Sequence, residues 1–499
     1  MPRRIPIFYS ALLLTGVNLL LRLVGTSFQV YISGRIGAAG VGLLQLTMSV
    51  GAMALVAGMA GIRTGAMYLT AEELGKGRPG NVTWVLSGSF GYSVVFSGAV
   101  AGALFFFAPW IAEHWIGQPG TEAALRLYAA FLPLTCLMGV MTGYFTAANR
   151  IGTLAAVEVA EQATSMLVTM GALTLWAGTS AERACLCVIL GNSLGACLTL
   201  GCLVYLRLRE GAETGTRIPV ARRLADTALP LAVADDLKTG INTVENLMVP
   251  KRLALCRLVE DPLVAFGVVS GMVFPVLMFP SCILFALAEL LIPELARCAA
   301  AGSKGRIEYL SKRSLKVALL YGLTFCGLEY LTADSLGMGL YDNAEAGRNL
   351  KLYALLIPML YCDLIVDAMI KGLGQQKISV RYNIFTSALD VIFLFLLLPE
   401  YGMTGYFLSF FVTHLINFCL SLRRLLKITG IRIPFRVPAL CLATLVAALA
   451  GAATFANISS RILAFVLLLF SGLTLWGITG REDLQWLRGL VKQKEQGGG

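Results

Sequence analysis

The stretch NLLLRLVGTSFQ, Asn18 to Gln29, places one arginine inside a run of leucines. Asn18, Arg22, Gly25 and Gln29 recur at i, i+4, i+7 and i+11, which puts them on one side of a helix. A guanidinium stays charged at any physiological pH, and its planar fork of donors suits phosphate and carboxylate. No acidic residue lies within a turn of Arg22, so this stripe points to water or an anion rather than to an internal ion pair. A second constellation, PLAVADDLKTGINTVEN, aligns Asp235, Lys238, Asn242 and Glu245 on one helical face. A third sets Asp363, Asp367 and Lys371 at i, i+4 and i+8, and a fourth runs Glu158, Glu161, Gln162, Ser165 and Thr169 along one side. Arg63 stands beside Thr64, and Glu289 closes another apolar run. Carboxylates placed this way can carry a proton or Na⁺. Plainer readings stand beside these: Asp363, Asp367 and Lys371 as an internal ion pair, Asp235 and Lys238 neutralising each other, and Lys238 or Glu289 snorkelling to an interface.

The elements that must position these residues are membrane helices. The chain has 499 residues, 57% of them hydrophobic and only 14% charged. Runs such as GYSVVFSGAVAGALFFFAPWIA and ALCLATLVAALAGAATFA are long enough to cross the roughly 30 Å hydrocarbon layer. Twenty-residue apolar blocks exclude a β-barrel, whose strands are short and alternate. The expected fold is an all-α polytopic membrane protein of about 14 helices. They fall near 10–33, 41–69, 82–110, 123–147, 153–178, 183–206, 223–250, 263–293, 313–333, 350–371, 379–399, 402–422, 437–456 and 461–478. An ionisable residue in such a helix costs a few kcal/mol on insertion scales, so it normally faces a bundle interior or water.

Several other classes lack the residues they need. The apolar run after MPRR has no small-residue cleavage site and reads as a retained first helix. The 12 cysteines are scattered singly through apolar runs and read as packing residues, and 2 histidines give no zinc pattern. The net charge of +11 sits in short loops, where it sets topology, so no nucleic-acid partner is expected. The sequons at Asn81 and Asn457 carry no weight, the first because its loop is predicted to be cytoplasmic. There is no Walker A loop and no HExxH, so neither an enzyme activity nor a cofactor is expected.

Loop charge fixes the expected orientation. Alternate loops starting from the N-terminus hold Arg3, Arg4, Lys76, Arg78, Arg150 and the cluster Arg207 to Arg223, and continue so to the C-terminal tail. The opposite loops hold only Arg35, Arg183, Lys251, Arg252, Arg257, Arg348, Lys351 and Arg461. The bias of about three to one puts both termini in the cytoplasm of a bacterial cell, which requires an even number of crossings.

The chain also repeats itself. LYAAFLPL at Leu127 returns as LYALLIPM at Leu352, each with a proline (Pro133, Pro358) inside the predicted span, and each is followed by a basic turn. The longest basic linker falls between helices 6 and 7. The expected organisation is a six-helix lobe at 1–206, a linker at 207–222 and a second six-helix lobe at 223–424. Two additional helices at 437–478 and a cytoplasmic tail at 479–499 follow. Parallel repeats of this kind form transporters whose site lies between the halves at mid-membrane. A cavity with fixed cations favours an anionic group such as pyrophosphate. Its outward movement gains ~2.3 kcal/mol per charge per 100 mV of inside-negative potential.

GRIGAAGVGLLQL after helix 1, NTVENLMVPKRLA at the end of helix 7 and KGLGQQKISVRYNIF after helix 10 resemble the stage V sporulation protein B group. These are polysaccharide-biosynthesis flippases of the MATE/MOP exporter superfamily. The resemblance implies two six-helix lobes that alternate between inward and outward openings, and lipid-linked sugar carriers, lipid II among them, as substrates. In related lipid II flippases helix 1 carries an arginine in a short SRVLGF motif, and cavity arginines bind the pyrophosphate. LRLVG keeps the first of these as Arg22, whereas the second arginine of that motif falls at Phe28 and the acid after it at Gln29. Arg63 is then the candidate second cation. The same flippases hold a lipid tail between their last two helices, which helices 13 and 14 here match.

The resulting expectation is a flippase of undecaprenyl-pyrophosphate-linked glycans for spore or cell-wall peptidoglycan. Arg22, Asn18, Gln29, Arg63, Lys238 and Asn242 bind substrate, and Asp235, Glu245, Asp363, Asp367 and Glu161 couple transport to H⁺ or Na⁺. Its partners are the lipid-linked glycan, membrane lipids and envelope-synthesis enzymes. The alternatives are an O-antigen or capsule-type glycan flippase, a cation-coupled multidrug exporter of the same superfamily, and a membrane scaffold without transport.

Overall fold

The structure is a computed structural model that describes residues 7–177, 180–209, 220–431 and 436–479. The middle of the expected linker, the tail from residue 480 and Arg3 and Arg4 lie outside the described residues, as does the side chain of Asn18.

The described chain is helical and contains no strand. That follows from the apolar blocks: in hydrocarbon every backbone N–H and C=O must be paired internally, and a helix does this within one segment. Eight helices are long and apolar enough to cross a membrane alone. Two of these are broken by a kink at Gly37 (φ 68°) and Gly402 (φ 55°), in the left-handed region that glycine enters without a Cβ penalty. Each holds two crossings, so helices 1 and 2 meet at residue 37 and helices 11 and 12 at residue 402. Two bent pairs supply helix 8 (Pro262–Leu277 with Cys282–Ala300, bent 63°) and helix 10 (Ala344–Ala354 with Ile357–Gly372, bent 58°). Helix 5 (Ile151–Ala172) and helix 7 (Val220–Leu253) are less apolar because they carry the carboxylates singled out above. The protein is thus an all-α polytopic membrane protein with fourteen helical crossings among the described residues.

The repeated prolines behave differently. Pro358 stands at the bend of helix 10, where its missing N–H leaves the carbonyl four residues earlier without its usual partner. Pro133 lies inside helix 4 (Glu122–Ala147), which continues through it.

The chain divides into two compact units, one of residues 1–286 with 377–417, the other of 287–376 with 418–499. In the first, helices 3 (Asn81–Trp110) and 4 pack as a hairpin, as do helices 5 and 6 (Ala181–Arg209). The 5–6 hairpin is close because Gly191 sits against helix 5, where a Cβ would lie 2.0 Å from the Thr169 Oγ1. Ser165 donates to Asn192 at 2.6 Å, and Thr199 donates to Glu161 at 3.0 Å, across the same seam. Ile62, Leu69, Val85, Met141, Phe145 and Leu224 form a buried core at the end of this unit where helix 7 begins. Beside that core Arg223 pairs with Glu72 at 2.6 Å and with the buried Glu73 at 3.1 Å, and Asn81 donates to Glu73 at 2.9 Å.

In the second unit helix 9 (Lys304–Tyr341) packs on helix 10, and helices 13 (Arg436–Ala453) and 14 (Ile458–Leu475) pair. Gly327 of helix 9 receives the Phe465 ring of helix 14 so closely that a Cβ would meet it at 1.8 Å.

Candidate functional site

Arg22 projects from helix 1 with its guanidinium carbon 4.0 Å from the centroid of the Phe285 ring of helix 8. The side chain is exposed, and among the described residues no carboxylate pairs with it. A guanidinium stacked on an aromatic face keeps its in-plane N–H donors free for a ligand. Further along the same stripe the Gln29 Nε2 and the buried Ser33 Oγ have no protein hydrogen-bond partner. Helix 1 therefore carries an exposed cation followed by two buried polar groups without a protein partner, groups that water or a ligand would satisfy.

Glu245 parts company with its sequence neighbours. Asp235, Lys238 and Asn242 are exposed on helix 7, whereas Glu245 is half-buried. Its carboxyl lies close enough to that of Asp390 on helix 11 for the two to interact. Asp390 is buried at 4% exposure and accepts from Ser409 at 2.5 Å and Thr413 at 3.1 Å, both on helix 12. Tyr406 is buried beside both acids. Two carboxylates in proximity repel, and a shared proton or a bound cation relieves that repulsion. Helix 7 is steadied on its opposite side by helix 2: Thr243 donates to the Ser49 carbonyl at 3.1 Å and Asn246 to the Ser49 Oγ at 3.0 Å.

Other candidates take separate positions. Arg63 lies near enough to Glu158 for their charges to interact, and its backbone packs against Gly143 of helix 4. Glu161 is held by Thr199 inside the 5–6 hairpin. In the second unit Asp367 pairs with Lys371 at 2.6 Å, the internal ion pair that the spacing allowed. Asp363 stands one turn away, half-buried.

Asp390, Ser409 and Thr413 were not among the residues expected to act. Asp390 had a readable signal, a lone acid in the apolar run SALDVIFLFLLL. Ser409 and Thr413 had none, because hydroxyls in a membrane helix commonly bond their own backbone, as Thr413 also does to the Ser409 carbonyl at 2.9 Å.

With this geometry in hand, known proteins give a consistent picture. A family model described as "Polysaccharide biosynthesis protein" matches residues 82–258. Stage V sporulation protein B of Bacillus subtilis (strain 168) is 21% identical over 455 residues, covering 88% of this chain and 87% of that protein. Among solved structures, the lipid II flippase MurJ in an inward closed conformation superposes with a TM-score of 0.68 at 13% identity, over 93% of this chain and 98% of that one. An inward-facing multidrug resistance MATE family transporter of the MOP superfamily gives 0.63 at 13% identity, over 84% and 100%. The chain has the fold of the MOP-superfamily transporters, and its sequence resembles stage V sporulation protein B along most of its length.

Proposed function

We propose that this protein is a flippase that moves undecaprenyl-pyrophosphate-linked glycan precursors, lipid II among them, from the cytoplasmic to the outer leaflet of the bacterial cytoplasmic membrane. The observation that carries the reading is Arg22, an exposed arginine that is stacked on Phe285, has no acidic partner and heads a stripe of unpaired polar groups. The pyrophosphate binds at Arg22 with help from Arg63 or Lys238, the sugar is taken by the polar residues Asn18, Gln29 and Asn242, and the prenyl tail stays in lipid. Two lobes, 1–206 and 223–424, rock to expose the headgroup outside. The Glu245–Asp390 pair binds H⁺ or Na⁺ and resets the cycle, with Asp235, Glu161, Asp363 and Asp367 as further carboxylates on the path. Both termini lie in the cytoplasm, and envelope-synthesis enzymes supply and consume the substrate.

The same carboxyl pair favours a second reading, a cation-coupled exporter of the MATE type, because two acids held together can also take a lipophilic cation. The test is flipping of lipid II in cells depleted of their own flippase, with wild type and Arg22→Ala compared at matched membrane levels. Restoration by wild type alone supports the flippase and the anion role of Arg22. Failure of both, with both folded, points to a different lipid-linked glycan or to export of cations.

A further inference from the structure

A cavity of about 370 Å³ lies between helices 2 and 3. Its walls are Ala54 and Ala57 of helix 2, Ala103 and Phe107 of helix 3, and Trp110 and Trp115 at the end of helix 3, with no polar surface. The alanines make the space, since any larger side chain at those positions would fill it. Helix 3 continues from Trp110 into a wide π turn, Ile111–Ile116, whose longer repeat puts both Ile111 and Trp115 on the cavity wall. Beside the cavity Phe106 is 82% exposed and Phe107 61%, an apolar surface of the kind that faces hydrocarbon.

The mouth has a different chemistry. Trp110 stacks on His114 at 5.5 Å and meets Trp115 edge-on at 5.6 Å, the amphipathic rings that settle at headgroup level. Lys251, at the end of helix 7, donates to the His114 carbonyl in that same turn. An ammonium has three N–H donors, and this exposed one spends a single donor on the carbonyl. By the loop-charge bias this end is the outer one, where cations are few, so a lysine held at the rim of an apolar slot is out of pattern there.

We infer that the cavity binds one acyl chain of an anionic phospholipid of the outer leaflet, with Lys251 at the phosphate. An apolar slot with an aromatic rim and one fixed cation is the complement of such a lipid, chain below and charge above. The inference rests on the membrane fold and this cavity alone, so it stands or falls independently of the substrate at Arg22.

The cavity's own tryptophans read it out. Protein keeping only Trp110 and Trp115 (Trp84, Trp176, Trp476 and Trp486 replaced by Phe) is placed in nanodiscs and titrated with phosphatidylglycerol or phosphatidylcholine carrying brominated acyl chains. Bromine quenches indole on contact. The expected result is a saturable quenching component that is about fivefold tighter for phosphatidylglycerol. Ala103→Phe, at an exposed position, and Ala54→Phe should each abolish that component, and Lys251→Gln should make the two lipids equal. Thermal unfolding of each variant confirms that it is folded, and Ala103→Phe keeps the test open if Ala54→Phe is not. Quenching that rises linearly and equally with both lipids, in wild type and filled variants alike, would overturn the site. Saturable quenching relieved by a polyprenyl phosphate but not by unlabelled phosphatidylglycerol would overturn the phospholipid as its occupant.

Discussion

Glu245 of helix 7 and Asp390 of helix 11 bring their carboxyl groups close enough to interact, and Ser409 and Thr413 of helix 12 donate to the second of them. The arrangement ties three helices of the first unit to one ionisable pair. What occupies the space between the two acids therefore bears on how these helices pack.

Neutralising one acid separates binding from coupling. Asp390→Asn keeps an oxygen for Ser409 and Thr413, so the fold should survive with a change of about 1 kcal/mol. Gradient-driven transport in proteoliposomes should fall about tenfold or more, while equilibrium binding of substrate is retained. Undiminished transport across the same gradient would remove the pair from the coupling step.

Arg22 should not tolerate lysine. Lysine keeps the charge but loses the planar fork and the stacking on Phe285. Arg22→Ala is expected to reduce flipping about a hundredfold and Arg22→Lys about tenfold, roughly what two charge-assisted hydrogen bonds and one supply, respectively. Flipping rates normalised to membrane level give the comparison, and equal rates for lysine and arginine would reduce the residue to a point charge.

The pairing of Arg223 with Glu72 and Glu73 is structural. Glu73 has 3% side-chain exposure, so Arg223→Ala leaves a buried carboxylate that still accepts from Asn81 but has lost its cation, and should cost about 3 kcal/mol. Thermal unfolding in detergent should show the loss, and adding Glu73→Gln should recover part of it by removing the uncompensated charge. No recovery in the double variant would mean that the pair matters through packing alone.

The helix 5–6 seam has no room for a methyl group. Gly191→Ala would put a Cβ 2.0 Å from the Thr169 Oγ1 and 2.6 Å from the Ser165 carbonyl. Because the second obstacle is backbone, the helices must part, and the expected cost is about 2 kcal/mol. Gly201→Ala on the same helix, with open space around it, serves as the control and should leave the melting temperature unchanged.

Sequence reading went far in one direction. Apolar blocks, helical spacing and loop charges carried the membrane fold and the crossings, because helix formation in hydrocarbon is a local demand met within each segment. It also marked Arg22 and Glu245, since a charge in an apolar run is costly wherever that run folds. It placed helices 5 and 7 despite their carboxylates, but the repeat put Pro133 and Pro358 at equivalent positions although only Pro358 stands at a bend.

What the sequence alone determined is which segments are helices and which of their side chains are out of place in lipid. What only the tertiary structure decided is partnership: that Glu245 comes beside Asp390, that Arg22 lies on Phe285, and that Lys251 reaches the carbonyl of His114. Spacing along one helix shows which residues share a face. Which neighbour that face meets depends on contacts between residues more than a hundred positions apart, and these form only when the helices pack.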